Sequence, residues 1–167
     1  MAFIIDSGST ISFADYDDVF ERDQRLFENN EGLTDDIIED ILIRSTERIL
    51  TKLRASSWWK DYYRQRSNTA VSSVDIPALD IDRIKARQND FTDLCVYTAL
   101  AEYVLPKVAD FGNEDNAERQ KIGYYNNKSE ALFGELVTAG DWYDFDDDGT
   151  IASSEKEAGK FNLKRIR

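Results

Sequence analysis

The residues with the clearest potential for chemistry form an acidic run, Asp144-Phe-Asp-Asp-Asp-Gly-Thr-Ile-Ala-Ser-Ser-Glu155. Its spacing matches the twelve-residue calcium loop of an EF-hand, in which side chains at alternate positions supply hard oxygen ligands. Gly149 allows the sharp turn of such a loop, and Ile151 is expected to point inward. The expected Ca²⁺ ligands are the carboxylates of Asp144, Asp146 and Asp148, the backbone carbonyl of Thr150, and a bidentate Glu155.

Three features of the sequence speak against a strong site. Ala152 removes a common side-chain ligand, Gly140 interrupts the entering helix shortly before the loop, and there is no second loop to pair with this one. A run of Asp-Asp-Asp-Gly is also typical of a tight acidic turn that binds no metal. The sequence therefore predicts either one weak Ca²⁺ site or a plain turn, and no required cofactor.

Residue types that commonly carry catalysis are scarce. The chain has no histidine, so histidine-containing nucleophile triads cannot form, and no histidine can activate the thiol of Cys95. It also lacks a glycine-rich phosphate loop with its lysine and a set of zinc ligands. The acid pairs Asp17 with Asp18 and Asp35 with Asp36 are typical of a solvated first helical turn. We therefore expect Cys95 to lie in the core and the chain not to be an enzyme.

The elements that must position these residues are mainly helices. Thr34 is a typical N-cap, Pro106 is expected to kink or end a helix, and Gly140 is expected to stop one. Phe3–Ile5 is read as a short extended arm. The predicted fold is mainly α, a small bundle of three long helices with an extended N-terminal arm and an extended C-terminal tail. Apolar residues recur at helical spacing over about 15–27, 35–54, 80–105 and 114–139.

The length of 167 residues is typical of one domain. Its predicted parts are an arm with a short helix over 1–30, a helical core over 31–140, and an acidic turn with a docking tail over 141–167. A polar stretch over 67–78 predicts a surface loop. Aromatic residues with polar tips are enriched in cores and at contacts. We therefore predict a core or subunit-interface role for Trp58, Trp59, Tyr62 and Tyr63.

The charge balance is strongly acidic, with 21 Lys and Arg against 33 Asp and Glu and a net charge of −12. It argues against attraction to nucleic acid or an anionic membrane, although an acidic surface can line a passage along which DNA slides without sticking. We expect no signal peptide and no membrane span. The single cysteine favours a reducing cytoplasm. Residues 160–167 differ, because they carry four positive charges and alternate in part like a strand.

Three segments together carry a family resemblance. One runs from Leu33 to Leu50, where acids follow a Thr cap, and another from Asp90 to Tyr103. The third is Tyr124–Val137, with its Tyr-Asp-Phe-Asp-Asp-Asp-Gly exit and basic final residues. In this order they resemble the head-tail connector, or adaptor, proteins of tailed bacteriophages, over roughly residues 33–167. The extension Met1–Asn30 and the full calcium-loop match depart from the simplest members.

The resemblance implies a ring of about twelve copies beneath the portal that continues the channel through which DNA leaves the capsid. Its partners would be the portal protein, the next neck or tail-completion protein and other copies of itself. DNA would pass without specific binding, and no membrane would be involved. The protein would lie in the virion neck after assembly in the host cytoplasm.

The resemblance also implies which residues make contacts. Portal docking would involve Phe161, Leu163, Lys164, Arg165, Ile166 and Arg167. Subunit contacts would involve Phe3, Ile4, Ile5, Trp58, Trp59, Tyr62 and Tyr63.

Two alternatives stay open. The chain could be a calcium-binding interaction module with one EF-hand-like loop, or another neck or head-completion ring protein. The sequence does not separate the latter from a connector, because both would line the same DNA passage.

Overall fold

A computed structural model of the chain describes residues 3–6, 8–30, 32–66, 76–113 and 116–156. The fold is mainly helical, as predicted, and none of the described helices is long and apolar enough to span a bilayer. The arrangement as a bundle of three long helices stays a prediction. The predicted docking residues Phe161–Arg167 lie outside the described residues.

Two compact units make up the chain. One comprises Met1–Ile49 and Arg87–Glu135, and the other comprises Leu50–Ala86 and Leu136–Arg167. These units interleave along the sequence, whereas the three predicted parts are consecutive.

Two short strands precede the helices, β1 (Ile4–Asp6) and β2 (Ser9–Ser12). A 3₁₀ turn lies at Ile81–Arg83, and a turn of π-helix lies at Leu100–Val104. The helices are α1 (Tyr16–Arg22), α2 (Gln24–Glu28), α3 (Asp35–Ala55), α4 (Ser57–Arg66), α5 (Gln88–Ala99), α6 (Leu105–Val108), α7 (Ala117–Ala139) and α8 (Ser153–Lys156).

The segment read as an extended arm, Phe3–Ile5, contributes to a hairpin in which β1 pairs antiparallel with β2. An isolated two-stranded hairpin is at best marginally stable in water. Here the base is held by aromatic packing, because the Phe13 ring centroid lies 4.8 Å from that of Phe3 and 5.2 Å from that of Phe91. The Phe13 N–H also donates to Thr46 Oγ1 at 3.1 Å. These contacts fix the base of the hairpin against α3 and α5.

The helix expected over 15–27 is divided into α1 and α2, because the chain leaves helical geometry at Asp23 (φ −147°, ψ 69°). Asp23 is buried and accepts hydrogen bonds from Lys121 Nζ at 2.6 and 2.8 Å. Tyr125 OH lies 3.5 Å from the same carboxylate, and burial raises the pKa of Tyr125 to about 12. The break places Asp23 in an ion pair with Lys121, which lies 98 positions away in the sequence, and the local apolar pattern does not reveal this pair.

The helix predicted over 35–54 is confirmed as α3. Asp35 and Asp36 occupy its first turn, where they complement the positive end of the helix. Ile38, Ile41 and Leu42 are buried along one face. Burial of each such side chain stabilises a fold by roughly 1.5–3 kcal/mol, so this face accounts for much of the helix's stability.

The helix expected over 80–105 begins eight residues later, at Gln88. The prediction for its first part was wrong because that segment pairs with a distant part of the chain. Ile84 forms an antiparallel β-bridge with Tyr143, and the Lys85 N–H donates to the Trp142 carbonyl at 3.0 Å. Arg87 then adopts φ 55°, which keeps this segment out of α5.

The helical run extends past Pro106, the residue expected to kink or end it, so Pro106 does not end it. α5 passes through the π turn at Leu100–Val104 into α6, which ends at Val108. Pro106 lies in the first turn of α6, which continues directly from the π turn, and the chain stays helical through it to Val108.

The last long helix, α7, ends at Gly140 as predicted. Gly140 has φ +57°, and its N–H donates to the Leu136 carbonyl at 3.0 Å. A Cβ atom here would lie 2.8 Å from Trp58 Nε1. Backbone conformation and packing both require glycine at this position.

Candidate metal-binding loop

The acidic loop Asp144–Glu155 is entered from a β-like segment instead of a helix. The Asp144 N–H donates to the Arg83 carbonyl at 2.9 Å, and the Lys85 N–H donates to the Trp142 carbonyl one step earlier. In an EF-hand a helix leads directly into the loop. Here α7 has already ended, as the position of Gly140 predicted, and backbone pairing with residues 83–85 fixes the first ligand position.

The loop turns around the carboxylate of Asp144. Its Oδ1 accepts the Asp147 N–H and its Oδ2 accepts the Gly149 N–H, both at 2.8 Å. Asp147 (φ 63°) and Gly149 (φ 87°) adopt the left-handed conformations that aim these N–H groups inward. Burial opposes ionisation of Asp144, but the backbone N–H groups of Gly149, Asp147 and Asp148 together lower its pKa below the ordinary value. Asp144 is therefore held as a carboxylate.

The next two predicted ligands lie beside it. Asp148 Oδ1 accepts both the N–H and the hydroxyl of Thr150 at 2.8 Å. Desolvation and the negative charges of Asp148, Glu155 and Asp144 raise the pKa of Asp146. Desolvation and the neighbouring negative charges therefore both oppose ionisation of Asp146, and a bound cation would offset them.

The three aspartates can share a cation. Asp144, Asp146 and Asp148 each offer a carboxylate oxygen, and these oxygens lie within 4.8 Å of one another. Ligands on opposite sides of Ca²⁺ are separated by roughly 5 Å at most, given Ca–O distances of about 2.3–2.6 Å. The spacing of these oxygens is therefore compatible with a shared hard cation, and binding of Ca²⁺ stays a prediction.

Glu155, the twelfth position, is placed differently. Its side chain is buried, Oε1 accepts the N–H groups of Phe145 at 2.7 Å and Asp146 at 3.2 Å, and Oε2 accepts that of Ala152 at 2.7 Å. The carboxylate therefore joins the two ends of the loop. For bidentate coordination it would have to exchange these backbone donors for the ion.

Arg83 supports the loop, and the sequence reading missed it. Its Nη1 donates to the Phe145 carbonyl at 3.1 Å, and its Nη2 lies 3.3 Å from Asp147 Oδ2. Arg83 falls within the segment predicted as a helix, so its partner 62 residues away carried no local signal.

An aromatic cluster backs the loop within the same unit. Phe145 stacks on Tyr62 with ring centroids 3.7 Å apart and on Trp59 at 5.9 Å. Trp59 Nε1 donates to the Pro77 carbonyl at 2.9 Å. Tyr143 OH accepts the Asp80 N–H, and burial raises the pKa of Tyr143 to about 12. The second loop residue is therefore part of a packed apolar core.

The predicted subunit contacts differ in exposure. Trp58, Trp59 and Tyr62 are buried in this cluster, and Phe3 is buried at the base of the hairpin. Of the core and interface roles considered for the aromatic run, these side chains fill the core role. Tyr63 and Ile4 are half-buried, and Ile5 is 59% exposed. A subunit contact through Ile5 stays a prediction.

A separate polar cavity of about 650 Å³ lies between α1 and α5. Asp18 on its wall completes the capping box of α1, and Arg22 forms an ion pair with Asp93. These acids therefore have structural partners. Nearby in the same unit, Cys95 is buried beside Thr46, and burial raises the pKa of its thiol to about 12.

Comparison with protein-family models, curated proteins and solved structures gave no match.

Proposed function

We propose that this chain is a subunit of a head-tail connector, a ring beneath the portal that continues the DNA channel of a tailed bacteriophage. One observation carries the proposal. The three segments that resemble the family lie, in the same order, in α3, in α5 with its π turn, and in α7, followed by the acidic exit loop. A structural role in the virion neck, without catalysis, is the simplest function for this order.

The distribution of charge supports the same role. The exposed side of the first half of α3 carries Asp35, Asp36, Glu39 and Asp40, and the chain has a net charge of −12. Such a surface repels phosphate, which allows DNA to move past without docking. The partners proposed for this ring are the portal, the next neck or tail-completion protein, and about eleven further copies.

The test is native mass spectrometry of the full chain mixed with the portal ring of the same phage. We expect added mass that corresponds to a ring of copies, and its loss when Phe161–Arg167 is deleted. A matched control keeps the four positive charges of 160–167 but replaces Phe161, Leu163 and Ile166 with serine. Loss of the complex in that control assigns docking to the apolar side chains. Failure of the intact chain to bind the portal under conditions where both are folded would reject the connector role.

A second candidate function rests on the arrangement of Asp144, Asp146 and Asp148. We propose that this loop binds one Ca²⁺ weakly and acts as a calcium-dependent interaction module or as a structural site within the connector. Isothermal titration of the full chain with Ca²⁺ should give saturable heat that Asp146→Asn and Asp148→Asn remove. Asp40→Asn, an equal change of charge on the exposed side of α3, should leave the heat unchanged. Absence of heat at millimolar Ca²⁺ would leave the loop as an acidic turn.

A further inference from the structure

The N-terminal hairpin presents a preformed edge. In the part of the chain that the structure describes, β1 and β2 form a two-stranded sheet that no third strand joins. Thr92 Oγ1 donates to the Phe13 carbonyl at 2.7 Å, and Thr46 Oγ1 accepts the Phe13 N–H, so the end of the hairpin is fixed on both sides. An ordered edge of this kind accepts an extended segment with little loss of its own entropy.

The surface beside the edge defines the chemistry of its partner. A cleft of about 40 Å³ lies against the hairpin, with Ile4, Ile11 and Ile43 in its lining. Asp15 and Glu39 line the same cleft and make it acidic. The exposed Ile5 adds apolar area on β1. The fitting partner is an extended segment that alternates apolar and basic side chains, because it can pair its backbone, place a methyl-sized apolar group in the cleft and neutralise the two acids.

This chain contains such a segment. Residues 160–167, Lys-Phe-Asn-Leu-Lys-Arg-Ile-Arg, hold four of the 21 Lys and Arg residues, and Phe161 and Leu163 alternate with polar residues. We propose that, in the absence of the portal, the hairpin edge of one copy binds residues 160–167 of a second copy as an added strand. The contact links copies head to tail and keeps the basic segment occupied.

Binding of the tail to the hairpin is a role separate from the connector ring, and it is tested without the portal. The same segment cannot occupy the hairpin and the portal at once, so portal binding would release it. A connector whose tail does not bind the hairpin would still pass the portal experiment, and tail binding without portal binding would remain measurable. The two proposals therefore fail separately.

The experiment measures fluorescence anisotropy of a dye-labelled peptide of residues 157–167 titrated with the full chain. We expect saturable binding that weakens with salt, because exposed charges contribute. Ile5→Asp should weaken it by about tenfold or more through lost apolar contact and added repulsion. Phe111→Asp is the matched control, because Phe111 is 60% exposed and lies outside the hairpin. Circular dichroism checks that both variants are folded.

A further variant and a scrambled peptide test the charge and the pattern of the segment separately. Glu39→Lys should weaken peptide binding, because it reverses one acid of the cleft. A peptide of the same composition, with the alternation of Phe161 and Leu163 scrambled, should also bind more weakly. Equal binding to the Ile5→Asp and Phe111→Asp variants, equal binding of the scrambled peptide, or absence of saturable binding would each overturn the proposal.

Discussion

Glu155 Oε1 accepts the backbone N–H of Phe145, ten residues earlier, at 2.7 Å. This bond fastens the exit of the acidic loop to its entry, while Oε2 accepts the Ala152 N–H. Glu155 is thus both the last predicted Ca²⁺ ligand and a structural acceptor. Bidentate coordination would withdraw it from these donors and reduce the net free energy of binding. If the loop binds Ca²⁺, we therefore expect the affinity to be low.

Replacement of Glu155 should destabilise the fold even without added metal. Glu155→Ala leaves the buried N–H of Phe145 and the part-buried N–H of Ala152 without their acceptor, and we expect a loss of roughly 1–3 kcal/mol in the free energy of unfolding. Glu155→Gln should lose less, because its amide oxygen can still accept. Urea titration followed by tryptophan fluorescence measures the difference. Glu39→Ala, an exposed glutamate on α3, serves as control, and an equal effect in both alanine variants would contradict the role of Glu155.

Asp144 and Asp146 should respond to amide substitution with opposite signs. The folded-state pKa of Asp144 is lowered from 3.8, so its ionised form contributes stability above the unfolded pKa, and this contribution is lost as pH falls through the folded pKa. The folded-state pKa of Asp146 is raised, so stability is lost as pH rises through that pKa and the cost persists at neutral pH. At pH 7, Asp144→Asn should therefore lower stability and Asp146→Asn should raise it.

The measurement is the free energy of unfolding of both variants between pH 3 and pH 7 in the presence of a chelator. Asp144→Asn should also flatten the acid limb of the stability curve. If Asp146→Asn destabilises the protein at neutral pH, repulsion within the loop is not the dominant effect. A stabilised Asp146→Asn variant that no longer binds Ca²⁺ would indicate that the acid is kept for the ion.

Local patterns predicted the parts of the structure that depend on local interactions. α3 follows from its apolar spacing and its acidic first turn, and the end of α7 follows from Gly140. The three aspartates of the loop come together as their spacing in the sequence indicated. In each case the residues that decide the conformation lie within a few positions of one another.

Long-range partners explain what the patterns did not predict. The break at Asp23 depends on Lys121, and the irregular segment before α5 depends on Trp142 and Tyr143. The position of Arg83 against the loop follows from that same pairing. A charged residue in an apolar pattern carries no information about a partner many tens of residues away, so these features became visible only in the folded chain.

Cys95 should be unreactive in the native protein. Its thiol is buried, and a pKa of about 12 leaves a thiolate fraction of roughly 10⁻⁴ at pH 8. We expect labelling by a disulfide reagent to be slow in buffer and to become fast in denaturing urea, because it requires opening of the core. A short cysteine peptide gives the reference rate under each condition. Native labelling at the peptide's rate would contradict the burial of Cys95.

Gly140→Ala should destabilise the unit that comprises Leu50–Ala86 and Leu136–Arg167. The substitution places a Cβ 2.8 Å from Trp58 Nε1 and gives an alanine φ +57°. We expect a loss of about 1–3 kcal/mol in the free energy of unfolding, because the left-handed conformation is costly for a non-glycine residue and the indole must move. Gly123→Ala is the matched control. Gly123 lies within α7 and a Cβ there meets nothing within 4 Å, so alanine should stabilise the helix by roughly 0.5–1 kcal/mol. Thermal and urea unfolding of the two variants should move in opposite directions, and a neutral Gly140→Ala would show that the helix end tolerates a different cap.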